Sequence, residues 1–337
     1  MDAAAVSHLH DLLAGLPGPD QAAGAAVRAR ATDILRPAGA LARLDDLAAW
    51  VAEWQGTPTP AVRRPAALIF AADHGVAAAG VSAYPTEVTA AMLAAYEARR
   101  STITAFAAVA GATVRAVDVG VGRPTADFRV EAALSPERLG DCVEAGVAAV
   151  EALDADLLVL GEMGIGNTTA AAAVSAAVLG GDPADWVGRG TGVDDDGLTR
   201  KRDAVAAATA RIAGTTDPLE VLRQVGGAEL VAIAAATAAA RHRGIPVLLD
   251  GYVVTAAVLP LHAAAPAALA HCRLGHCSAE PGHRRLAAHL GLDPLLDLGM
   301  RLGEGSGAMA AVPLVAMACA GVTDVPTFAE WFGPAPE

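Results

Sequence analysis

A glycine-rich stretch near the middle of the chain, Gly161–Thr169 (G-E-M-G-I-G-N-T-T), has the residue types of an anion-binding turn. It follows a short apolar run, Asp156–Leu160, that favours a buried strand, and it precedes an alanine-rich run, Ala170–Leu179, that favours a helix. Glycines let the backbone approach a ligand, and amides at a helix N-terminus attract negative charge. We therefore predict an anion site here, with Thr168 or Thr169 capping the helix.

Four residues of this turn are the candidate contacts to the anion, namely Gly164, Gly166, Asn167 and Thr168. Glu162 does not fit such a site, because a carboxylate repels an anion. Two interpretations stay open: Glu162 has a chemical task of its own, or it is an ordinary solvated acid in the loop between strand and helix.

A second glycine-rich stretch, Gly188–Lys201, includes Gly190 and ends in the only lysine of a chain with 24 basic residues. Since arginine serves elsewhere as the general cation, a lone lysine after a glycine loop suggests a position that needs a compact point charge, as phosphate sites often do. The alternative is a surface lysine that survived a biased composition.

A third candidate, Glu304, lies between Gly303 and Gly305. Flanking glycines leave room for a ligand to come close, and the apolar neighbours Met300 and Leu302 favour a partly desolvated carboxylate. Desolvation raises the pKa of a carboxylate and makes it a useful base near neutral pH. The alternative is a glutamate in a helix-capping turn.

These candidates together indicate a phosphorylated small molecule handled by two carboxylates. The chain has no G-x-S-x-G elbow, no Walker lysine motif and no H-E-x-x-H pair. The residues alone therefore predict a transferase or a lyase.

The cluster His271–Cys277 (H-C-R-L-G-H-C), with His283 nearby, raises the possibility of zinc. Its spacing is not that of a zinc finger and no second half occurs elsewhere, so we expect an ordinary loop and helix end. Four cysteines in 337 residues do not form a secreted disulfide framework, which favours the cytoplasm.

The elements that position these residues follow an α/β pattern. Strands are predicted at Ala66–Ala71, Thr113–Gly120, Asp156–Leu160 and Ile245–Gly251, and alanine-rich helical stretches alternate with them. A mainly parallel sheet flanked by helices follows, with ligands at the carboxyl ends of its strands. With only 4% aromatic residues, the core is expected to consist of closely packed Ala, Val and Leu.

The first 55 residues are predicted to be helical, over Val27–Ala42, interrupted at Pro37, and over Leu44–Trp54. A proline-rich connector, residues 56–65, follows as a plausible domain boundary. A net charge of −13 argues against nucleic-acid binding, and no apolar run reaches the length of a membrane span without charge or proline. The N-terminus lacks the features of a signal peptide.

Seven motifs, in this order, resemble nicotinate-nucleotide–dimethylbenzimidazole phosphoribosyltransferases. The motifs are D-H-G-V-A-A-A-G-V-S-A-Y-P-T-E-V-T (from Asp73), G-E-M-G-I-G-N-T-T, G-R-G-T-G-V-D, V-G-G-A-E-L (Val225–Leu230), D-G-Y-V-V-T-A-A (Asp250–Ala257), S-A-E-P-G-H (from Ser278) and L-G-E-G-S-G-A (from Leu302). The resemblance covers about Ala66 to Ala318.

The resemblance implies that nicotinate mononucleotide and 5,6-dimethylbenzimidazole give α-ribazole 5′-phosphate and nicotinate, a step in making the lower ligand of cobalamin. Glu304 is then the catalytic base and Glu162 the second active-site acid, which steadies a developing ribosyl cation or orients the ribose. Gly164, Gly190, Lys201 and Ser278 match the family's phosphate side, next to the Gly166, Asn167 and Thr168 of the turn. Ser82, Tyr84 and Leu302 match the side of the aromatic base.

The resemblance also implies a homodimer that needs no metal or other cofactor. Its fold is a Rossmann-like catalytic domain, residues 61–310, with a small helical domain built from both termini, residues 1–60 and 311–337.

Two departures from the family concern the aromatic base. The family usually has a glutamine near Ala91 and a Gly-Gly where this chain has Arg99 and Arg100. A relative that uses another benzimidazole, a purine or a phenolic is therefore one alternative. A non-catalytic nucleotide-binding regulator is another, although the presence of Glu304 counts against it.

Overall fold

In a computed structural model of the protein, which describes residues 6–333, five strands form one parallel sheet. The strands lie in the order β2-β1-β3-β4-β5. Their bounds are β1 Pro65–Ala72, β2 Thr113–Gly120, β3 Leu157–Met163, β4 Val247–Leu249 and β5 Cys272–Leu274. The predicted α/β fold with a parallel sheet is confirmed.

Helices connect the strands and cover both faces of the sheet. Within residues 6–333 they are α1 Ser7–Leu13, α2 Gln21–Asp33, α3 Ala42–Gln55, α4 Glu87–Glu97, α5 Thr102–Ala110, α6 Pro136–Glu151, α7 Asn167–Leu179, α8 Asp195–Arg211, α9 Pro218–Val225, α10 Ala228–His242, α11 Tyr252–Ala264, α12 Pro281–Leu290, α13 Ser306–Thr323 and α14 Phe328–Phe332. Short 3₁₀ turns follow β1, α7 and α11.

The first three predicted strands are confirmed, and β2 has the predicted bounds. The strand predicted over Ile245–Gly251 is only three residues long. Pro246 has no amide proton to add to the ladder at its start, and Gly251 is already the N-cap of α11 at its end. β5 falls inside the His271–Cys277 cluster, where only a loop and a helix end were predicted. Three residues are too few to give a strand pattern.

The predicted bounds of the first long helix are wrong. α2 begins at Gln21, where the Asp20 side chain accepts a hydrogen bond from the amide of Ala23, and it ends at Asp33. The chain beyond it is extended at Ile34 and reaches Pro37, so the helix does not continue to Ala42. α3 contains the predicted helix Leu44–Trp54.

Alternate residues of the central strands point into two separate hydrophobic cores. On one face, Leu68, Phe70, Leu158 and Leu160 pack with α6, α7, α10 and α11. On the other face, Ala67, Ile69, Leu157 and Val159 pack with α3, α5 and α13. A parallel sheet buried on both faces requires such continuously apolar strands.

The chain leaves β1 toward β2 on one side of the sheet, and β3, β4 and β5 extend the sheet on the other side. This is the doubly wound order in which ligands bind outside the carboxyl ends of the strands, where the order reverses. The buried Asp73 and His74 follow β1 at this point, and Glu162 is near the end of β3.

Helices from the two ends of the chain pack together. The Arg30 guanidinium in α2 donates to the carbonyls of Val322 and Val325 and pairs with Glu330 in α14. Ile34 forms an isolated antiparallel bridge with Thr327. α13 itself runs across residue 310, and the division into residues 1–60, 61–310 and 311–337 stays a prediction.

Among residues 6–333, one helix, α13, has the length and apolar composition of a membrane span, and 56% of it is buried inside the structure. The same composition is expected of a core helix, and α13 packs on β3, α3 and α5.

The expected close helix packing is clearest between α6 and α10. A Cβ on Gly146 of α6 would lie 2.3 Å from the backbone carbonyl oxygen of Ala232 in α10, whereas a Cβ on Gly140 of the same helix would meet nothing within 4 Å. Only the first glycine is needed for the contact.

We expect Gly146→Ala to lower the free energy of unfolding by about 1–3 kcal/mol, because two backbones must move apart. Gly140→Ala is the matched control, and it should raise that free energy by up to ~1 kcal/mol because alanine is the better helix former. Urea unfolding measures both. An equal change in the free energy of unfolding in the two variants would show that α6 and α10 are not in close contact.

Candidate active site

A cleft of about 600 Å³ opens at the carboxyl edge of the sheet. Segments after β1, β3, β4 and β5 line it, together with the turn before α13. Nine of the twelve site residues predicted from the sequence lie in its wall, namely Glu304, Glu162, Gly164, Asn167, Thr168, Gly190, Ser278, Tyr84 and Leu302. Gly166, Lys201 and Ser82 are not part of this wall.

The turn after β3 is tighter than predicted. α7 begins at Asn167 with Gly166 as its N-cap, at φ 98, and no side chain caps it, so the prediction that Thr168 or Thr169 does so is wrong. The amides of Asn167 and Thr169 donate to the carbonyls of Gly164 and Gly166, so these two do not point at a ligand.

Thr168 instead connects the turn to Lys201. The Lys201 ammonium donates to Thr168 Oγ1 at 3.0 Å, and the lysine is 1% exposed, so it is not the surface lysine of the alternative interpretation. A Cβ on Gly190 would lie 2.9 Å from Lys201 Nζ. Burial lowers the pKa of Lys201 to about 8, and the Glu280 charge opposes this shift.

Glu280 and Arg301 were missed from the sequence, and they hold the Gly190 loop. The amide of Gly190 donates to Glu280 Oε1 and its carbonyl accepts from Arg301 Nη1, both at 3.0 Å. Glu280 belongs to the S-A-E-P-G-H motif, and this was the signal available for it. Among the cleft-lining residues of the described chain, Arg301 is the one arginine or lysine.

Glu162 is buried, with 9% of its surface exposed, so it is not a solvated loop acid. The Asn167 side chain donates a hydrogen bond to its carboxylate. Burial raises the pKa of Glu162 to about 8, and the charges of Asp250 and Glu229 add to the rise. Glu229 is itself buried and contacts His74 Nε2 at 2.6 Å.

Glu304 occupies a strained backbone conformation. Its φ is 65, and the flanking Gly303 and Gly305 have φ 87 and 83, so three successive residues are left-handed. A left-handed glutamate is unusual, and such strain concentrates at functional sites. The N-cap of α13 is Gly305, so Glu304 does not cap this helix.

Glu304 is buried, with 5% of its surface exposed. Its carboxylate faces the N-terminal turn of α5, where the amide of Ile103 donates to Oε2 at 3.4 Å. The Tyr96 hydroxyl lies on the same side, but its geometry falls short of a hydrogen bond. Burial raises the pKa of Glu304, opposed by Ile103 and Tyr96 and increased by the charge of Asp250.

The two carboxylate-bearing segments touch through glycines. A Cβ on Gly161 would lie 2.4 Å from the carbonyl oxygen of Glu304, and a Cβ on Gly303 would lie 2.5 Å from Glu162 Oε1. Both glycines are therefore required for the contact between the end of β3 and the turn before α13.

The apolar side of the cleft is formed by Tyr84, Val88, Met92 and Leu302. Tyr84 and Leu302 are more than half exposed, so this side is open to a ligand. Ser82 supports it from outside the wall, because its hydroxyl contacts Thr191 Oγ1 at 3.0 Å and accepts from the Tyr84 amide.

The two departures near this side differ in their structural effect. Ala91 is exposed and lies outside the cleft wall, which α4 lines with Val88 and Met92. Arg99 has φ 55, the left-handed region that favours glycine, so an arginine here adopts a backbone conformation that a glycine would take more readily.

The His271–Cys277 cluster contains β5, with His271 before the strand and His276 and Cys277 after it. His271 is fully buried beside the Thr237 carbonyl, and burial lowers its pKa to about 3. His283 accepts from the Ser278 amide, and burial lowers its pKa to about 4. In residues 6–333 no three His, Cys, Asp or Glu side chains are placed to hold a metal ion.

Known proteins resemble the chain over nearly its whole length. A family model described as "Phosphoribosyltransferase" matches residues 16–331. Enzymes named nicotinate-nucleotide–dimethylbenzimidazole phosphoribosyltransferase from Novosphingobium aromaticivorans and Methylorubrum extorquens are 50% and 48% identical to it, covering 94% and 97% of this chain and 93% and 96% of the relatives.

The solved structure of CobT from Thermus thermophilus has a TM-score of 0.88 and 43% identity, covering 94% of this chain and 100% of that one. Sequence and structure agree over nearly the whole length, and six of the seven motifs named in the sequence contribute residues to one cleft, the exception being Val225–Leu230. The chain belongs to the nicotinate-nucleotide–dimethylbenzimidazole phosphoribosyltransferase family.

Proposed function

We propose that this protein transfers the 5-phosphoribosyl group of nicotinate mononucleotide to 5,6-dimethylbenzimidazole, giving α-ribazole 5′-phosphate, the lower-ligand precursor of cobalamin, and nicotinate. The observation that carries the proposal is a strained, buried glutamate in a cleft with a buried lysine behind one wall and an open apolar wall. A phosphate and an aromatic base need these two kinds of surface.

Glu304 acts as the general base. It takes the proton from one imidazole nitrogen while the other nitrogen attacks C1′ of the ribose. A carboxylate with a raised pKa holds a proton more tightly than an ordinary glutamate, so it is a stronger base. Attack opposite the departing nicotinate inverts the anomeric carbon from β to α.

Glu162 is the second acid. With a pKa of about 8, it carries a proton at neutral pH before the substrate binds and can donate a hydrogen bond to a ribose hydroxyl. Nicotinate mononucleotide has a positively charged ring nitrogen, and an opposite charge nearby lowers the pKa of a carboxyl. A carboxylate formed in this way also steadies a ribosyl carbon that becomes positive.

Lys201 provides the cation for the phosphate, and its ammonium lies directly beside Gly190 of the cleft wall, where a Cβ would come within 2.9 Å of it. The remaining phosphate-side contacts are assigned to Gly164, Gly166, Asn167, Thr168 and Ser278. Tyr84 and Leu302 hold the aromatic base, with Ser82 fixing the position of Tyr84.

We further propose a cytoplasmic homodimer. The four cysteines are buried and free, as expected of a reducing compartment. Several large apolar side chains are exposed on α5, α13 and α14, and a second copy of the chain would cover them. They are Phe106, Val109, Met317, Trp331 and Phe332.

The role of Glu304 is tested by Glu304→Gln. The amide keeps the size of the side chain but cannot take a proton, so kcat should fall ~10²-fold or more while the KM of the mononucleotide changes little. Steady-state assays with nicotinate mononucleotide and dimethylbenzimidazole measure both. Glu97→Gln, an exposed change on α4, is the control and should have wild-type rates. Near-normal turnover in Glu304→Gln would contradict the assignment.

For Lys201, we expect Lys201→Ala to raise the KM of the mononucleotide about 10- to 100-fold, matching the ~1.5–3 kcal/mol of a hydrogen bond to a charged group. The KM of the base should hardly change. Lys201→Arg should also have a raised KM for the mononucleotide, because a planar guanidinium does not replace a point charge.

The same lysine predicts a pH dependence. With its pKa lowered to about 8, Lys201 is charged below that pH and neutral above it, so the KM of the mononucleotide should rise as the pH passes about 8. The alanine variant should lack this rise. An unchanged KM in the alanine variant would remove Lys201 from the phosphate site.

The apolar wall predicts broad acceptance of bases. The wall is apolar and open, with Tyr84 and Leu302 more than half exposed, so it discriminates only weakly among methyl substituents, by ~1–3 kcal/mol each. Dimethylbenzimidazole, benzimidazole and methylated relatives should have kcat/KM values within about two orders of magnitude. Competition in equimolar mixtures measures this, and dominance of one base would reveal an additional polar contact. Turnover of only a phenol or a purine would favour a different acceptor.

A further inference from the structure

Asp250 lies just after β4 and is 1% exposed. Its carboxylate accepts from the amide of Gly305 at 3.2 Å and from the amide of Ala308 at 2.8 Å. Gly305 is the residue after Glu304, and Ala308 lies in the first turn of α13. Asp250 does not line the cleft, so it does not touch a substrate there.

We propose that Asp250 is a positioning residue, which holds the left-handed Glu304 turn over the cleft by accepting hydrogen bonds from its backbone. The inference rests on the proposed role of Glu304 as base. A left-handed glutamate between two left-handed glycines persists only where the surroundings over-determine it. Asp250 supplies such a constraint, because each of its carboxylate oxygens accepts one amide of the same short segment.

His276 closes the arrangement from a third side. Its Nε2 lies 3.4 Å from Asp250 Oδ1, and a Cβ on Gly307 would lie 2.0 Å from its Cδ2. The histidine is 2% exposed and lies in the cleft wall. The residues after β4, the loop after β5 and the first turn of α13 therefore meet at one carboxylate.

The charge of Asp250 has a second effect, which separates this role from simple packing. The titratable groups that face Asp250 are Glu162, Glu304, His276 and His283. Its negative charge raises the pKa of both glutamates. Removing this charge lowers both pKa values, so Glu304 stays ionised to a lower pH.

The test is Asp250→Asn in the full-length protein. The amide nitrogen would face one of the two backbone donors, so the turn should shift and kcat should fall, by ~10²-fold for a displacement of about 1 Å. The KM of the mononucleotide should change little. The acid limb of the kcat–pH profile should move to lower pH, and a merely structural residue would not move it.

Asp250→Glu is the second variant. It keeps the charge and displaces the carboxylate, so kcat should fall while the acid limb stays in place. Asp73→Asn is the matched control, because Asp73 is a buried aspartate after β1 that accepts from the Gly122 amide at 2.8 Å, outside the cleft wall. It should lower the melting temperature without moving the acid limb.

Wild-type kcat in either Asp250 variant, or an unmoved acid limb in Asp250→Asn, would overturn the inference. If Glu304→Gln is inactive at the same time, the proposed function survives and only the role of Asp250 falls. If Glu304→Gln keeps its turnover, the proposed base falls first.

Discussion

The cleft depends on a backbone contact between the end of β3 and the turn that carries Glu304. A side chain at Gly161 would occupy the space of the Glu304 carbonyl, and one at Gly303 would displace Glu162. At this contact Glu304 adopts a left-handed conformation that costs ~1–3 kcal/mol. Packing of α13 on β3 and α5, in the core on that face of the sheet, offsets this cost.

The contact also places acids close together, and their electrostatics follow from it. Glu162 and Glu304 are both buried, and Asp250 lies near both, so desolvation and repulsion raise their pKa values. Lys201 is buried as well, and its pKa falls. Burial thus raises the pKa of the two acids and lowers the pKa of the lysine. A substrate that carries both an anionic phosphate and a cationic ring matches such a cleft.

Several parts of this arrangement could be predicted from the sequence. β1 and β2 are apolar or β-branched runs with clear ends, and Glu162, Lys201 and Glu304 stand out by their glycine neighbours. Glu280 and Arg301 could not be found in this way, because they act on Gly190 from 90 and 111 residues away. Two of the helix amides that were expected to be free, those of Asn167 and Thr169, are instead bonded within the turn around the left-handed Gly166.

The single lysine of the chain has a physical reason in its burial. At 1% exposure, a cation must tolerate an environment that disfavours charge. Lysine can release its proton there, and its pKa of about 8 reflects this, whereas arginine stays charged in proteins. Arginine serves on the cleft wall at Arg301, an exposed residue whose guanidinium donates to the Gly190 carbonyl. The chain therefore uses lysine where the cation is buried behind the wall, next to the proposed phosphate position, and arginine where the cation lies on the wall itself.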